Sequence, residues 1–182
     1  MNTIKLKSTT LKDINFLVKL YNDQSIQNNS LNTDSFEITN KEVISTLKYF
    51  CSNNLEYYII YSDNIKIGLA LIYEVNIKEM YCLVGIALLE KYRGHGFSRL
   101  IIYELVKKSF SKYKITTLAS EIYSNNLPSL KLMEKLNFKK DISKTKEVII
   151  NDQKIYSYFF QEILYLSTIL VYKIYLLKIK YT

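Results

Sequence analysis

Seven consecutive residues, Tyr92-Arg93-Gly94-His95-Gly96-Phe97-Ser98, have the types and spacing best suited to chemistry in this 182-residue chain. An almost wholly apolar run, Cys82 to Leu89, leads into them, and an apolar helical pattern, Leu100 to Phe110, leads out. A strand that ends in a glycine-rich turn and opens a helix is an anion-binding device. The turn leaves backbone N–H groups unpaired, the glycines let a phosphate approach closely, and the helix dipole favours negative charge. Both arginines of the chain sit here, Arg93 within the seven residues and Arg99 directly after them. Taken alone, Gly94-His95-Gly96 fits either a phosphate cradle or a plain tight turn. The dinucleotide fingerprint is incomplete, because no third glycine stands near Arg99, and the Gly-Lys-Ser/Thr of a nucleotide-triphosphate loop is absent.

The elements around the turn follow from periodicity. Thr3 to Lys7 reads as a strand, and Leu11, Ile14, Leu17, Val18 and Tyr21 repeat at helical spacing behind Thr10 as a cap. The window Tyr21 to Asn40 is polar, holds Asp23, Asp34 and Glu37, and contains no Lys or Arg. It reads as a solvated loop or as a wall facing a cationic group. Val43, Ile44, Leu47 and Phe50 give a second helix, capped by Thr39 or Asn40. Tyr57 to Tyr61 and Lys66 to Tyr73 form a hairpin across Ser62-Asp63-Asn64, and Met80 to Leu89 is a strand covered on both faces. Ile115 to Tyr123 is the next strand. Asn126 caps a helix marked by Leu130, Met133 and Leu136, with Asn137 as its terminator. Lys146 to Ile150 and Lys154 to Phe160 make a second hairpin around Asn151-Asp152. The expected fold is α+β: a mixed, mostly antiparallel sheet of about six to seven strands flanked by helices.

Composition narrows the function classes. A net charge of +8 invites nucleic acid, but the lysines are scattered and no basic run of five occurs, so no nucleic-acid partner is expected. Cys51 and Cys82 are isolated, and with a single His no zinc spacing exists, so no metal is expected. Lys5, Lys7 and Lys12 interrupt any signal-peptide core, which points to a reducing, cytoplasmic setting. Ile163 to Leu177 is apolar but broken by Lys173, and too short for a span of about 20 residues. No stable membrane insertion is expected. The tail packs on the domain or on a second subunit, which would make a homodimer. The division expected is one domain over 1–164 and an apolar, basic extension over 165–182.

Two separate blocks then match one family. Ile86 to Ser98 resembles the acyl-CoA signature of the GNAT superfamily of N-acetyltransferases, whose core Arg/Gln-x-x-Gly-x-Gly/Ala is here Arg93 to Ser98. Downstream, Asn126-Leu127-Pro128-Ser129 and Leu132 to Phe138 resemble the second block of that family. The wording is similar to the branch that acetylates ribosomal-protein N-termini, polyamines and amino sugars. The resemblance implies acetyl-CoA as co-substrate and an amine acceptor, a small molecule or a peptide N-terminus. It implies a cofactor site of Ile86, Leu88, Arg93, Gly94, His95, Gly96, Phe97, Ser98, Asn126 and Ser129. Arg93 would add charge at the pyrophosphate, while the ring of His95 points outward. The acid-only window would be the acceptor wall.

The implied chemistry, attack of a neutral amine on a thioester, needs a proton acceptor, an oxyanion donor and an acid for the thiolate. The family's Tyr acid is replaced by Met133, and its central-strand Glu by Leu83. Tyr81 and Glu79 at the start of the central strand, and Tyr123 at the end of the next, are the candidates for proton handling. The rival classes are an acyl-CoA-binding module without turnover, and a basic nucleic-acid or membrane-surface protein.

Overall fold

Strand β1 (Ile4–Ser8) opens the chain, followed by a 3-10 turn (Leu11–Asp13) that runs into helix α1 (Ile14–Tyr21). The computed structural model describes residues 3–30, 37–150 and 153–163. Asp34, the Asn151-Asp152 turn and the tail from 164 onward lie outside the described residues. The entry to α1 is fixed locally: the Asp13 carboxylate accepts from the Thr10 N–H at 2.8 Å and from its hydroxyl at 2.9 Å. Next comes α2 (Gln24–Ser30), in the window read from sequence as a solvated loop or a wall facing a cationic group. Helix α3 (Asn40–Ser52) begins with a similar device, Glu42 accepting from the Thr39 N–H and hydroxyl at 2.7 and 2.9 Å.

β2 (Glu56–Ser62) and β3 (Ile65–Asn76) form the expected hairpin. Asp63 and Asn64 both take positive φ, 46° and 67°, as a two-residue turn matched to strand twist requires. β4 (Tyr81–Leu88), α4 (Phe97–Tyr113) and β5 (Thr117–Tyr123) make a crossover unit with β4 and β5 parallel. α5 (Leu127–Lys135) leads into a long hairpin, β6 (Lys139–Ile150) and β7 (Gln153–Ile163). All seven strands form one sheet in the order β1-β2-β3-β4-β5-β7-β6, antiparallel except at β4–β5.

Helices cover both faces. On one, Ile101 and Leu105 of α4 and Met133 of α5 pack on Ile67, Val84 and Leu118. On the other, Leu17, Leu20, Val43 and Phe50 of α1 and α3 pack on Ile59 and Leu69. The alternation of β4 explains its apolar reading: Cys82 and Val84 face α4, whereas Leu83 faces the opposite way with Ala119 and Phe159. No described helix is long and apolar enough to cross a membrane.

Candidate active site

The sheet comes apart at one place. The β4–β5 ladder runs Tyr81↔Thr117, Cys82↔Leu118, Leu83↔Ala119 and stops. Beyond it, β4 continues beside β3 alone and β5 beside β7 alone, so a wedge opens between them. The Leu89 N–H donates to the Ile67 carbonyl at 3.0 Å, and the Thr117 N–H donates to the Met80 carbonyl at 3.0 Å. Strand alternation between those two fixed points directs the backbone groups of Ile86 and Leu88 into the wedge. Both residues came from the sequence as cofactor candidates, and they lie on the edge of β4 that β5 leaves.

The glycine-rich turn closes the outer end of this wedge. Gly94 and Gly96 adopt φ of +77° and +79°, the left-handed region that a side chain disfavours. A Cβ at either would meet nothing within 4 Å, so the space in front of the turn is open. Gly96 is the N-cap of the 17-residue α4, and no side chain caps that helix. The Arg99 N–H donates to the Gly96 carbonyl at 3.3 Å, and the N–H groups of Phe97 and Ser98 ahead of it suit an anion. Phe97 is buried in the core and Ser98 half-buried, which anchors the turn from below. His95 is exposed; its Nδ1 sits 2.8 Å from the Arg93 carbonyl, and its ring stacks on Phe97 at 6.1 Å. These features fit a pyrophosphate: backbone donors, a rigid base and no steric obstacle.

Arg93 is held at two points of its guanidinium. Its Nε donates to the Leu88 carbonyl at 2.9 Å and its Nη2 to the Ser25 hydroxyl at 2.8 Å. Ser25 in turn donates to the Asp23 carboxylate through both its N–H, at 2.9 Å, and its hydroxyl. Asp23 therefore organises α2 and, through Ser25, Arg93. Across the wedge, Asn126 caps α5 by accepting from the Ser129 N–H at 3.2 Å and donates to the Asn29 carbonyl at 2.8 Å. α2 is thus tied to the turn on one side and to the second block on the other. Sequence periodicity gave no signal for it, since it carries one apolar residue, Ile26.

On the face opposite α4, the wedge is polar. Gly85 and Glu121 each lie two residues beyond the last β4–β5 pair and share the face of Leu83 and Ala119. Gly85 leaves a gap in the floor: a Cβ there would stand 3.5 Å from Leu71 and 3.8 Å from the Tyr73 ring. Burial, and then the carboxylates of Glu121 and Glu74, push the Tyr73 hydroxyl above the usual phenol range, so it remains a donor. Glu121 binds Lys146 Nζ at 2.8 Å, and that contact raises the lysine. Tyr123 is the next residue of β5 on this face. Glu121 is the single charged residue of the apolar stretch Ile115 to Tyr123, which is the signal that sequence reading passed over. Tyr73, one of 17 tyrosines, gave none.

The three residues proposed from sequence for proton handling separate. Tyr123 lies beside Glu121 at the open end. Tyr81 sits on the same face but at the closed end, its ring edge-on to Phe159 at 6.1 Å. Glu79 is exposed in the β3–β4 turn, its N–H donating to Asn76 at 3.0 Å. Met133 is buried in the α4-side core and Leu83 is 1% exposed, so neither presents a group to the wedge. Among the described residues no cluster of His, Cys, Asp and Glu has metal-binding geometry.

The profile of the acetyltransferase (GNAT) domain family matches residues 4–139. Solved structures with the same fold include an N-acetyltransferase from Staphylococcus aureus Mu50, 20% identical, with a TM-score of 0.73 over 90% of this chain and 99% of that one. Spermidine N-acetyltransferase from Vibrio cholerae, solved with CoA and spermine, is 18% identical, with a TM-score of 0.78 over 92% and 98%. Ribosomal-protein-alanine N-acetyltransferase from Brucella melitensis is 17% identical, with a TM-score of 0.71 over 88% and 99%. A search of curated protein sequences gives no significant match.

Proposed function

The chain belongs to the GNAT acetyltransferase family, and on that premise we propose that it transfers the acetyl group of acetyl-CoA to a primary amine by direct attack in a ternary complex. One observation carries this reading: the wedge where β4 leaves β5 runs straight into an uncapped helix start behind two left-handed glycines. A free strand edge suits an amide-bearing arm, and the helix start suits its pyrophosphate. The Vibrio cholerae neighbour, solved with CoA and spermine, is consistent with both a CoA and a cationic amine.

When bound, acetyl-CoA supplies the acetyl group as an activated thioester. The N–H groups from Gly94 to Ser98 hold the pyrophosphate, and the Ile86 backbone and the Leu88 N–H face the arm. Asn126 and Ser129 flank it from α5. Arg93 acts as a strut that ties the Leu88 carbonyl to α2 and adds positive charge beside the turn. Glu121 takes the proton that the acceptor ammonium must lose, directly or through water. Tyr73 and Tyr123 are the hydroxyls beside it that can return a proton to the departing thiolate. Positioning supplies much of the remaining rate, because a thiolate is an adequate leaving group.

A thiol-release screen with acetyl-CoA against amino acids, peptides, polyamines, amino sugars and aminoglycosides tests the activity. Acetyl-CoA binding without release for any amine would favour a binding module instead. Gly96→Glu fills the cradle with a like charge and should abolish acetyl-CoA binding; unchanged affinity would sink the cofactor assignment. Glu121→Gln should lower kcat by about 10²-fold or more, with acetyl-CoA affinity retained.

A further inference from the structure

Lys146 reaches Glu121 from a strand that does not neighbour its own. β7 lies between β5 and β6, and Lys146 pairs with Ser157, which pairs in turn with Tyr123. The lysine stem therefore crosses β7 at Ser157 and ends diagonally on Glu121, its Nζ 2.8 Å from Oε1. Directly paired residues of antiparallel strands share a face, so Lys146, Ser157, Tyr123 and Glu121 all lie on the polar side of the wedge. A small residue at the crossing leaves a lane that an unbranched chain fits. The lysine side chain is 65% exposed and the glutamate 31%. A pair this open contributes little stability and exchanges readily.

The contact is a primary alkylammonium seated on the carboxylate that the proposed reaction uses. We propose that Lys146 is an intramolecular stand-in for the acceptor: its ammonium holds, on Glu121, the place that the substrate ammonium takes. The site is therefore selective for a primary ammonium on an unbranched alkyl chain, which enters as Lys146 leaves. This inference rests on the acetyltransferase reading and narrows its acceptor. The exchange conserves charge, since one ammonium replaces another on Glu121. A neutral acceptor has no such exchange to offer and would leave the carboxylate occupied. Neighbouring groups suit a cation as well: Lys144 places its ammonium 5.1 Å from the Tyr81 ring centre and 4.5 Å from that of Phe159, on the same side of the sheet.

The test is an NMR titration of the full chain, without acetyl-CoA, using n-butylamine and its branched isomer tert-butylamine as probes. Lys146→Met should tighten n-butylamine binding by about two- to five-fold, the range set by losing one exposed ion pair. Glu121→Gln should weaken it, and tert-butylamine should bind more weakly than n-butylamine to the wild type. Lys146→Gln, which keeps a polar end, should reproduce the Lys146→Met gain and guards against a folding artefact. Three results would overturn the proposal: no gain in either Lys146 variant, an equal gain in Lys144→Met, or equal binding of the two isomers. Because the titration contains no acetyl-CoA, its failure leaves the thiol-release result standing. A silent thiol-release screen would refute the acetyltransferase reading by itself.

Discussion

Asn126 donates its side-chain amide to the backbone carbonyl of Asn29, 2.8 Å away, across 97 residues of sequence. The same side chain accepts from the Ser129 N–H at the start of α5. Its two ends therefore do different work, and substitution can separate them. Asn126→Asp keeps the acceptor, favoured by the α5 dipole, and sets a carboxylate against the Asn29 carbonyl. Amide exchange in α2 should speed up while thermal stability stays close to wild type. Asn126→Ala loses both and should cost about 1 kcal/mol in thermal unfolding. Unchanged exchange in α2 for the Asp variant would refute the tie.

Ser25→Ala removes one of the two anchors of the Arg93 guanidinium, leaving the Leu88 carbonyl. A hydrogen bond to a charged group contributes about 1.5–3 kcal/mol when buried, and this one is only partly so. The dissociation constant for acetyl-CoA should rise roughly three- to ten-fold, measured by calorimetry, with the fold intact by circular dichroism. An unchanged constant would mean that Arg93 does not need α2 to shape the turn.

Gly68 shows the opposite of an open glycine. A Cβ there would lie 2.1 Å from the Ala87 carbonyl oxygen and 3.0 Å from the Leu88 Cα. Both are backbone atoms of β4, so no rotamer change relieves them. Gly68→Ala should destabilise by about 3 kcal/mol or more, in the range of severe overpacking. Gly85→Ala meets only ordinary contacts, at 3.5 Å and beyond, and should fold normally while narrowing the acceptor floor. Denaturant titration of the two variants side by side checks the contrast.

Asp13 gives the stability a defined acid limb. Burial raises its carboxyl pKa, but the Lys66 ammonium at 2.7 Å and the N–H and hydroxyl of Thr10 outweigh burial and hold it below the ordinary 3.8. A folded-state pKa below the unfolded one stabilises the fold above pH 3.8, and that contribution is lost as pH falls through the folded value. Asp13→Asn should cost about 1 kcal/mol at neutral pH and flatten the decline below pH 3.8, read by urea unfolding at a series of pH values.

Much of this architecture was legible because local chemistry agrees with the fold. Thr10 and Thr39 start helices with an acid three residues on, Asp63-Asn64 reverses a hairpin, and Gly94 and Gly96 sit where only glycine is comfortable. The misses have physical causes. α2 is polar on almost all sides, and its order comes from contacts with Arg93 and Asn126 that lie far off in sequence. β6 begins at Lys139, seven residues before the expected Lys146, because an edge strand rich in Lys, Ser and Thr lacks apolar alternation. Glu121 was hidden by its strand: an acid amid apolar residues reads as the wet position of the pleat, and only the parted ladder gives it an address.

That parted ladder also bears on how the chain acquires its form. Three register pairs are all that join β4 to β5, and through them the β1–β4 meander to the β5–β7–β6 half of the sheet. Each half is antiparallel, and each also holds pairs distant in sequence, such as Ile4↔Ser62 and Thr117↔Ile163. Each half therefore closes a long loop of its own, and the seam is distinguished by its shortness alone. The molecule is in this sense two sheet halves welded along a short line. The pocket is the part of that line left unwelded.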